Sequence, residues 1–103
     1  MIIDGDETMK KDMAKVFKAL SDENRLYIIE LLLKGELCGC ILIDKLDISQ
    51  PTLSYHLRIL KDANLTTSYR DGNRIMYVVN KEVLHQAKQF IDSYDHMEAS
   101  CNL

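Results

Sequence analysis

"ISQPTLSYHLRILKDANLTTSYRDGNRIMYVVN", residues 48–80, is the most informative part of the sequence, because a helical pattern here gives way to a hairpin pattern. Ser49 is a favourable helix N-cap, and Pro51 falls in the first turn, where its missing N–H costs no hydrogen bond. The apolar residues that follow have the spacing of one buried helix face: Leu53, Leu57 and Leu60. The pattern predicts a helix over about residues 49–62.

The second half of the stretch favours a β-hairpin. Two runs rich in β-branched and aromatic residues flank Asp71-Gly72, which is a strong short-range hairpin signal. We therefore predict a two-stranded wing over about residues 66–79. From Asn80, a plausible cap, apolar residues at helical spacing predict a last helix to about residue 99, with one broad apolar face: Val83, Leu84, Ala87, Phe90, Ile91 and Tyr94.

Upstream of residue 48 the sequence predicts three further helices. The first has a buried stripe of Met13, Val16, Phe17 and Leu20. The second is capped by Ser21 or Asp22 and ended by Gly35, with an inward set of Leu26, Ile29, Leu32 and Leu33. The third, from about Glu36 to Leu46, contains the cysteine segment "ELCGC". With the later elements this order spells a winged helix-turn-helix, an α+β but mainly α fold, in one domain over residues 1–103.

In a helix-turn-helix the second helix lies in the major groove of DNA, whose base edges carry a donor and acceptor code. The predicted helix over 49–62 has a polar face of hydroxyl, amide, imidazole and guanidinium groups, which suits that role: Ser49, Gln50, Thr52, Ser54, Tyr55, His56 and Arg58. The hairpin tip adds candidate contacts to phosphates or the minor groove: Arg70, Asn73 and Arg74. The alternative is an ordinary polar helix face beside a solvated hairpin.

Composition and charge are compatible with that function without demanding it. The chain has 103 residues, 47% hydrophobic and 28% charged, which is ordinary for one soluble globular domain. Its net charge of −3 argues weakly against DNA binding, which depends on cations. The charges are unevenly distributed, however: acidic residues lie towards the two ends, whereas basic residues cluster in the middle, namely Lys45, Arg58, Lys61, Arg70 and Arg74.

Targeting and cysteine content suggest a reducing compartment. The N-terminus "MIIDGDETMKK" lacks the apolar run of a signal peptide, and no stretch approaches the roughly 20 apolar residues of a membrane span. We therefore expect a cytoplasmic protein with no membrane partner. An odd count of three cysteines makes a disulfide scaffold improbable and favours metal or redox chemistry.

The segment "FKALSDENRLYIIELLLKGELCGC", followed by residues 48–79, closely resembles the ArsR/SmtB family of metal-sensing transcriptional repressors, over roughly residues 12–95. The resemblance implies a homodimer whose N- and C-terminal helices form the dimer contact. It also implies binding to double-stranded operator DNA until an inducer binds, with the helix from Ser49 as recognition helix and residues 71–73 as wing tip. No nucleophile and base constellation or phosphate-binding glycine loop is evident, so we expect no enzyme activity.

The thiols match the family's "ELC-x-C" sensing motif at Cys38 and Cys40, and soft thiolates select thiophilic ions. The resemblance therefore implies As(III) or Sb(III) as inducer, with Cd(II), Pb(II) or Zn(II) as alternatives. Arsenic-responsive relatives of one type have a third cysteine where this chain has Ile43, so Cys101 is the candidate third ligand.

Three interpretations of these thiols are compatible with the sequence. In a regular helix Cys38 and Cys40 would point to nearly opposite sides, so both could reach one ion only if the first turn distorts, at a cost that Gly39 lowers. The pair could instead be small buried hydrophobes. A third hypothesis is a redox or persulfide sensor that joins Cys101 to Cys38 or Cys40. Cys38 and Cys40 are only two residues apart, which predicts a strained and therefore poor disulfide between them.

A second family site, for zinc, matches His85 and His96 in the last helix, which share a face but lie about 16 Å apart along the axis, so an antiparallel partner helix would be needed. The family's two carboxylate positions fall on Val83 and Ala99, while Glu82 and Glu98 are one residue out of register. Histidines at the dimer face or in solvent are the favoured interpretation.

Overall fold

The computed structural model of the chain describes residues 2–97. Over these residues, helices surround a small antiparallel sheet whose strand order is β1-β3-β2. In chain order the elements are α1 (Ile2–Ala19), α2 (Glu23–Leu33), β1 (Leu37–Cys38), α3 (Gly39–Leu46), α4 (Gln50–Asp62), β2 (Thr66–Asp71), β3 (Arg74–Val79) and α5 (Lys81–Asp95). The predicted winged helix-turn-helix is confirmed, with α3 and α4 as its two helices.

Asp22, one of the two predicted caps, is the N-cap of helix α2. The Asp22 carboxylate accepts hydrogen bonds from the backbone N–H groups of Asn24, at 2.8 Å, and Arg25, at 3.2 Å. The prediction that Leu26 and Leu33 point inward is wrong, because they are 51% and 43% exposed. The buried stripe is instead Arg25, Ile28, Ile29 and Leu32, which begins with a charged residue that a search for apolar spacing passes over.

The cysteine segment begins differently from the prediction. Residues 36–38 are not helical: Leu37 pairs with Tyr77 and Cys38 with Met76, as a short third strand on the hairpin. Hydrogen bonds to β3 replace those that a helical turn would supply, so α3 starts only at Gly39. It ends at Leu46 and is capped by Asp47, which adopts the left-handed conformation with φ of 55°. Residues 47–49 then turn the chain into α4.

The predicted hairpin is confirmed. Strands β2 and β3 pair from Thr66 opposite Val79 to Asp71 opposite Arg74, which leaves a two-residue turn at residues 72–73. Gly72 takes a φ of +64° there, a conformation that suits glycine and explains the strength of the sequence signal.

The core lies beneath α4. Its fully buried aliphatic residues come from α2, α3, α4 and the residue before β2: Ile28, Leu42, Leu53, Leu60 and Leu65. Helix α5 packs back on α1, where the rings of Phe17 and Phe90 lie 6.1 Å apart. Two residues predicted for the packed face of α5, Ile91 and Tyr94, are more than half exposed. Helix α5 ends at Asp95, short of the predicted residue 99.

Candidate nucleic-acid interface and thiol pair

The N-terminus of α4 is built as the sequence predicts. Ser49 caps the helix, its hydroxyl accepting a hydrogen bond from the backbone N–H of Thr52 at 3.3 Å. Pro51 occupies the first turn. Six of the seven residues expected on the polar face are exposed: Ser49, Gln50, Thr52, Ser54, Tyr55 and Arg58. This row of hydroxyl, amide and guanidinium groups is free to meet the edges of bases.

The seventh residue, His56, does not share that face. Its side chain is buried, and its Nδ1 atom lies 3.0 Å from the Nη1 atom of Arg25, which is also buried. The expectation that His56 is exposed is wrong because an imidazole at this position can satisfy its polar atom inside the protein. Since a guanidinium only donates, Nδ1 accepts and the proton of neutral His56 resides on Nε2.

The partners of Arg25 extend this buried contact to α1 and to the cap of α2. The Nε atom of Arg25 donates to the backbone carbonyl of Ala19 at 2.7 Å. The Asp22 carboxylate lies 4.0 Å from His56 Nδ1. Desolvation acts to raise the pKa of Asp22, but the hydrogen bonds from the backbone N–H groups of Arg25 and Asn24 act in the opposite direction. The lowering effects together outweigh desolvation, and the pKa of Asp22 is below its usual 3.8. His56 therefore connects α4 to α2 directly and, through Arg25, to the end of α1.

The wing tip presents its predicted cations to solvent. Arg70, Asn73 and Arg74 are all exposed. Arg74 Nη2 lies 3.4 Å from the Asp71 carboxylate, and both side chains are more than half exposed. Such an exposed ion pair contributes little to stability, so it does little to hold Arg74 in place.

Between α4 and β2 lies a cleft of about 300 Å³ that joins the helix face to the wing. Arg58 and Lys61 line its helix side, and hydroxyls of β2 line the other, including Thr67 and Ser68. Cations beside hydroxyls suit a phosphate oxygen. Lys61 belongs to the basic cluster predicted from the sequence, and its three-residue spacing from Arg58 places both on one helix face, whereas Thr67 and Ser68 are not among the predicted site residues.

The two cysteines lie at the junction of β1 and α3, and they are joined by a disulfide. The expectation that they make a poor disulfide is therefore wrong. Cys38 has extended backbone angles, φ of −79° and ψ of 160°, and precedes the helix. The two Cα atoms are consequently 5.3 Å apart, within the range usual for disulfides. The two side chains converge without the distorted helical turn that we expected.

The environments of the two cysteines differ. Cys38 is 2% exposed, whereas Cys40 is exposed to solvent. The ring of Tyr77 lies against the glycine between them, because a Cβ atom built on Gly39 would come 3.4 Å from Tyr77 Cε2.

On the same sheet, the hydroxyl of Tyr69 donates a hydrogen bond to the carboxylate of Glu36. This bond to Glu36 raises the pKa of the Tyr69 hydroxyl above its usual value.

Among residues 2–97, the structure does not bring the other predicted metal ligands together. Cys101 lies outside residues 2–97, as do Glu98 and Ala99. His85 is exposed on α5, and His96 at its end lies 3.3 Å from the Asp92 carboxylate. Within residues 2–97 no cluster of three or more His, Cys, Asp or Glu side chains could hold a metal. Ile43, in the place of a third thiol, packs against the core.

Helices α1 and α5 together leave an apolar surface uncovered. A groove of about 720 Å³ runs between them, lined by residues that include Met9, Met13 and Phe90. Beside it, Met9, Ile91, Tyr94 and Met97 are each more than half exposed. Single chains of this size seldom leave so many large apolar side chains in solvent at one end. Among the described helices, none has the length and apolar content of a membrane span.

Comparisons with known proteins agree with this geometry. Residues 22–68 match the family model described as "Bacterial regulatory protein, arsR family". The chain is 41% identical over 91 residues to an arsenical resistance operon repressor of Staphylococcus xylosus, a match that covers 88% of each protein. It is also 41% identical over 76 residues to a cadmium resistance transcriptional regulatory protein CadC homolog of Staphylococcus aureus, across 73% of this chain and 63% of that one.

A solved structure has the same architecture. The homodimeric winged helix-turn-helix DNA-binding domain of a possible ArsR-family regulator from Mycobacterium bovis superposes with a TM-score of 0.74. The two chains are 25% identical, and the match covers 92% of this chain and 93% of that one.

Proposed function

Because the chain belongs to the ArsR family of bacterial regulatory proteins, we propose that it is a homodimeric repressor that releases operator DNA when As(III) or Sb(III) binds Cys38 and Cys40. The family consists of DNA-binding transcriptional regulators rather than enzymes. The proposed site of action is the cytoplasm, where reducing conditions keep thiols free.

The DNA contact of this proposal is the polar face of α4 together with the wing tip. The contacting residues are Ser49, Gln50, Thr52, Ser54, Tyr55, Arg58, Arg70, Asn73 and Arg74, to which the cleft adds Lys61, Thr67 and Ser68. His56 is left out because it is buried. The short polar side chains of α4 would meet base edges, while the cations of the cleft and the wing would meet phosphates.

The homodimer is supported by the uncovered surface of α1 and α5. Two copies that cover their grooves with each other would remove Met9, Ile91 and Tyr94 from water. A dimer would also present two recognition helices, which could occupy half-sites about one turn of DNA apart.

The observation that supports As(III) or Sb(III) as the inducer is the position of Cys38 and Cys40. They converge directly before the proposed recognition helix, with Cα atoms 5.3 Å apart. Reduced, the pair supplies two soft sulfur ligands without rearrangement of the helix. Cys40 gives the ion access from solvent, and a third ligand completes a trigonal sulfur site, with Cys101 as the proposed donor. The ion can drive release only by binding more tightly to a conformation that fits DNA poorly, typically by about 1–3 kcal/mol.

The test begins with a duplex selected from a random library by the reduced protein. Fluorescence anisotropy then follows its release during titration with As(III), Cd(II) and Zn(II). We expect As(III) to release the wild-type protein. Cys38→Ser and Cys40→Ser should bind the duplex normally and resist As(III), whereas Cys101→Ser should weaken the response. Release that persists in both Cys38→Ser and Cys40→Ser would refute the proposal.

A second candidate, a redox-responsive repressor, is favoured by the disulfide itself. Oxidation of the two thiols by a peroxide forms one S–S bond, and the two electrons and two protons reduce the peroxide to water. This differs from the pairing with Cys101 expected from the sequence, because here Cys38 and Cys40 pair with each other. Release of DNA by peroxide, reversed by a dithiol reductant and absent with As(III), would favour this candidate over the first.

A further inference from the structure

We propose that the thiol pair controls DNA binding through the wing, and that Glu36 and Tyr69 are positioning residues that join the two. This inference rests on the proposed function, because it concerns how a change at Cys38 and Cys40 reaches the DNA. The sequence suggested another route, from α3 directly into the recognition helix.

The first step is the position of Cys38 in the wing sheet. Cys38 pairs with Met76 on β3, and Met76 pairs in turn with Tyr69 on β2. The three residues therefore form one row across the sheet. Strand β1 contributes only Leu37 and Cys38, so any backbone movement that a bound ion imposes on Cys38 acts on half of its pairing with β3.

The second step is the side chain of Tyr77. Its ring lies beside Gly39, between the two cysteines, because a Cβ atom built on Gly39 would be 3.4 Å from Tyr77 Cε2. The same residue lines the cleft that contains Arg58, Thr67 and Ser68. Tyr77 therefore adjoins both the segment 38–40 and the proposed phosphate contact, so a rearrangement of that segment toward the ring would reach the cleft.

The third step is the hydrogen bond between Tyr69 and Glu36. Strands β1 and β2 are both neighbours of β3, so they lie about 10 Å apart, twice the usual spacing between strands. The long side chains of Tyr69 and Glu36 span β3 and connect the outer strand to the residue before β1. Because Arg70 follows Tyr69 in the wing, the bond relates the position of the tip to that of the thiol segment.

The experiment measures the ratio of duplex Kd values with and without As(III) in four dimeric proteins of 103 residues: wild type, Tyr69→Phe, Glu36→Ala and the double variant. Each single variant should reduce this ratio about fivefold from a typical 5- to 150-fold coupling, and the double variant should reduce it no further. The As(III) affinity of the DNA-free protein, read from thiolate absorption, should change by no more than about fivefold, the factor by which the Kd ratio changes, because the two binding equilibria are linked. Tyr27→Phe removes a hydroxyl from a partly exposed tyrosine on α2 and should keep the wild-type ratio.

Unchanged ratios in both single variants, or additive losses in the double variant, would overturn the positioning role. A wild-type protein that As(III) does not release would instead refute the proposed function. Hydrogen exchange separates the two failures, because it needs neither DNA nor arsenic. Reduction of the Cys38–Cys40 disulfide should alter amide exchange at Met76 and Tyr77 and leave Leu57 and Leu60 of α4 unchanged. A change confined to α4 would overturn the route through the wing.

Discussion

Replacing His56 by leucine should destabilise the protein by about 2 kcal/mol, although leucine is apolar and the site is buried. The imidazole accepts a hydrogen bond from the Arg25 guanidinium at 3.0 Å, and Arg25 is itself only 8% exposed. Hydrogen bonds to charged groups contribute roughly 1.5–3 kcal/mol, and a buried donor left without an acceptor costs a similar amount. Burial of the leucine offsets only part of that loss.

The same substitution should cost much less once Arg25 is gone. Arg25→Met removes the buried donor, so His56→Leu in that background leaves no unpaired charge and should cost below about 0.5 kcal/mol. The carbonyl of Ala19 loses its partner in both Arg25→Met proteins, and its contribution therefore cancels in the double-mutant cycle. The interaction free energy of the pair should be about 1.5 kcal/mol or more.

Urea unfolding followed by circular dichroism measures these free energies. All variants must be compared at one protein concentration, because the stability of a dimer depends on concentration. With a slope near 2 kcal/mol per molar urea, the midpoint of His56→Leu should fall by about 1 M. His85→Leu, a matched change at an exposed histidine of α5, should shift the unfolding free energy by less than about 0.5 kcal/mol when a chelator is present. An equal cost of His56→Leu in both backgrounds would refute the buried hydrogen bond.

Three further predictions concern the cap of α2, the cleft and the wing. Asp22 has a lowered pKa in the folded state, so its ionised form stabilises the protein above pH 3.8 and that contribution is lost as the pH falls through the folded pKa; the stability advantage of wild type over Asp22→Asn should shrink between pH 6 and pH 3 in thermal unfolding. Arg58→Ala and Lys61→Ala should each reduce the slope of log Kd against log salt by about 1, whereas Lys34→Ala, at the residue that follows α2, should leave it unchanged. Gly72→Val should destabilise the hairpin by about 1 kcal/mol or more, because valine is strained at a φ of +64°, and Gly72→Asn should be tolerated better in the same unfolding assay.

Sequence reasoning succeeded where local chemistry decides the structure. The cap at Ser49, the proline in the first turn and the glycine at the hairpin turn each act within a few residues. It failed at β1, because a two-residue strand has no periodicity and its partner Met76 lies far along the chain. The nearby helical pattern was therefore extended over residues that pair with a sheet.

The candidate site shows the same division. The exposed hydroxyls and cations of α4 follow from helical spacing, whereas the burial of His56 depends on Arg25, which is 31 residues away. His56 is polar and the sequence places it on the exposed face, while Arg25 belongs to a residue type that is seldom buried without a partner. Their mutual hydrogen bond makes burial possible, and no pattern within either helix reveals it.

The His56–Arg25 hydrogen bond and the pairing of β1 with β3 support the two halves of the proposed DNA surface in different ways. Helix α4 is held by the buried hydrogen bond between His56 and Arg25, and densely packed interiors move between discrete arrangements rather than deforming gradually. The wing meets the thiol segment through two paired residues and an exposed hydrogen bond, which open at lower free energy than the core. An inducer with a few kcal/mol to supply would act where opening is least costly, so changes at His56 should weaken DNA binding equally with and without inducer. Changes at Tyr69 or Glu36 should alter the ratio between the two states, because only a contact that differs between states contributes to coupling.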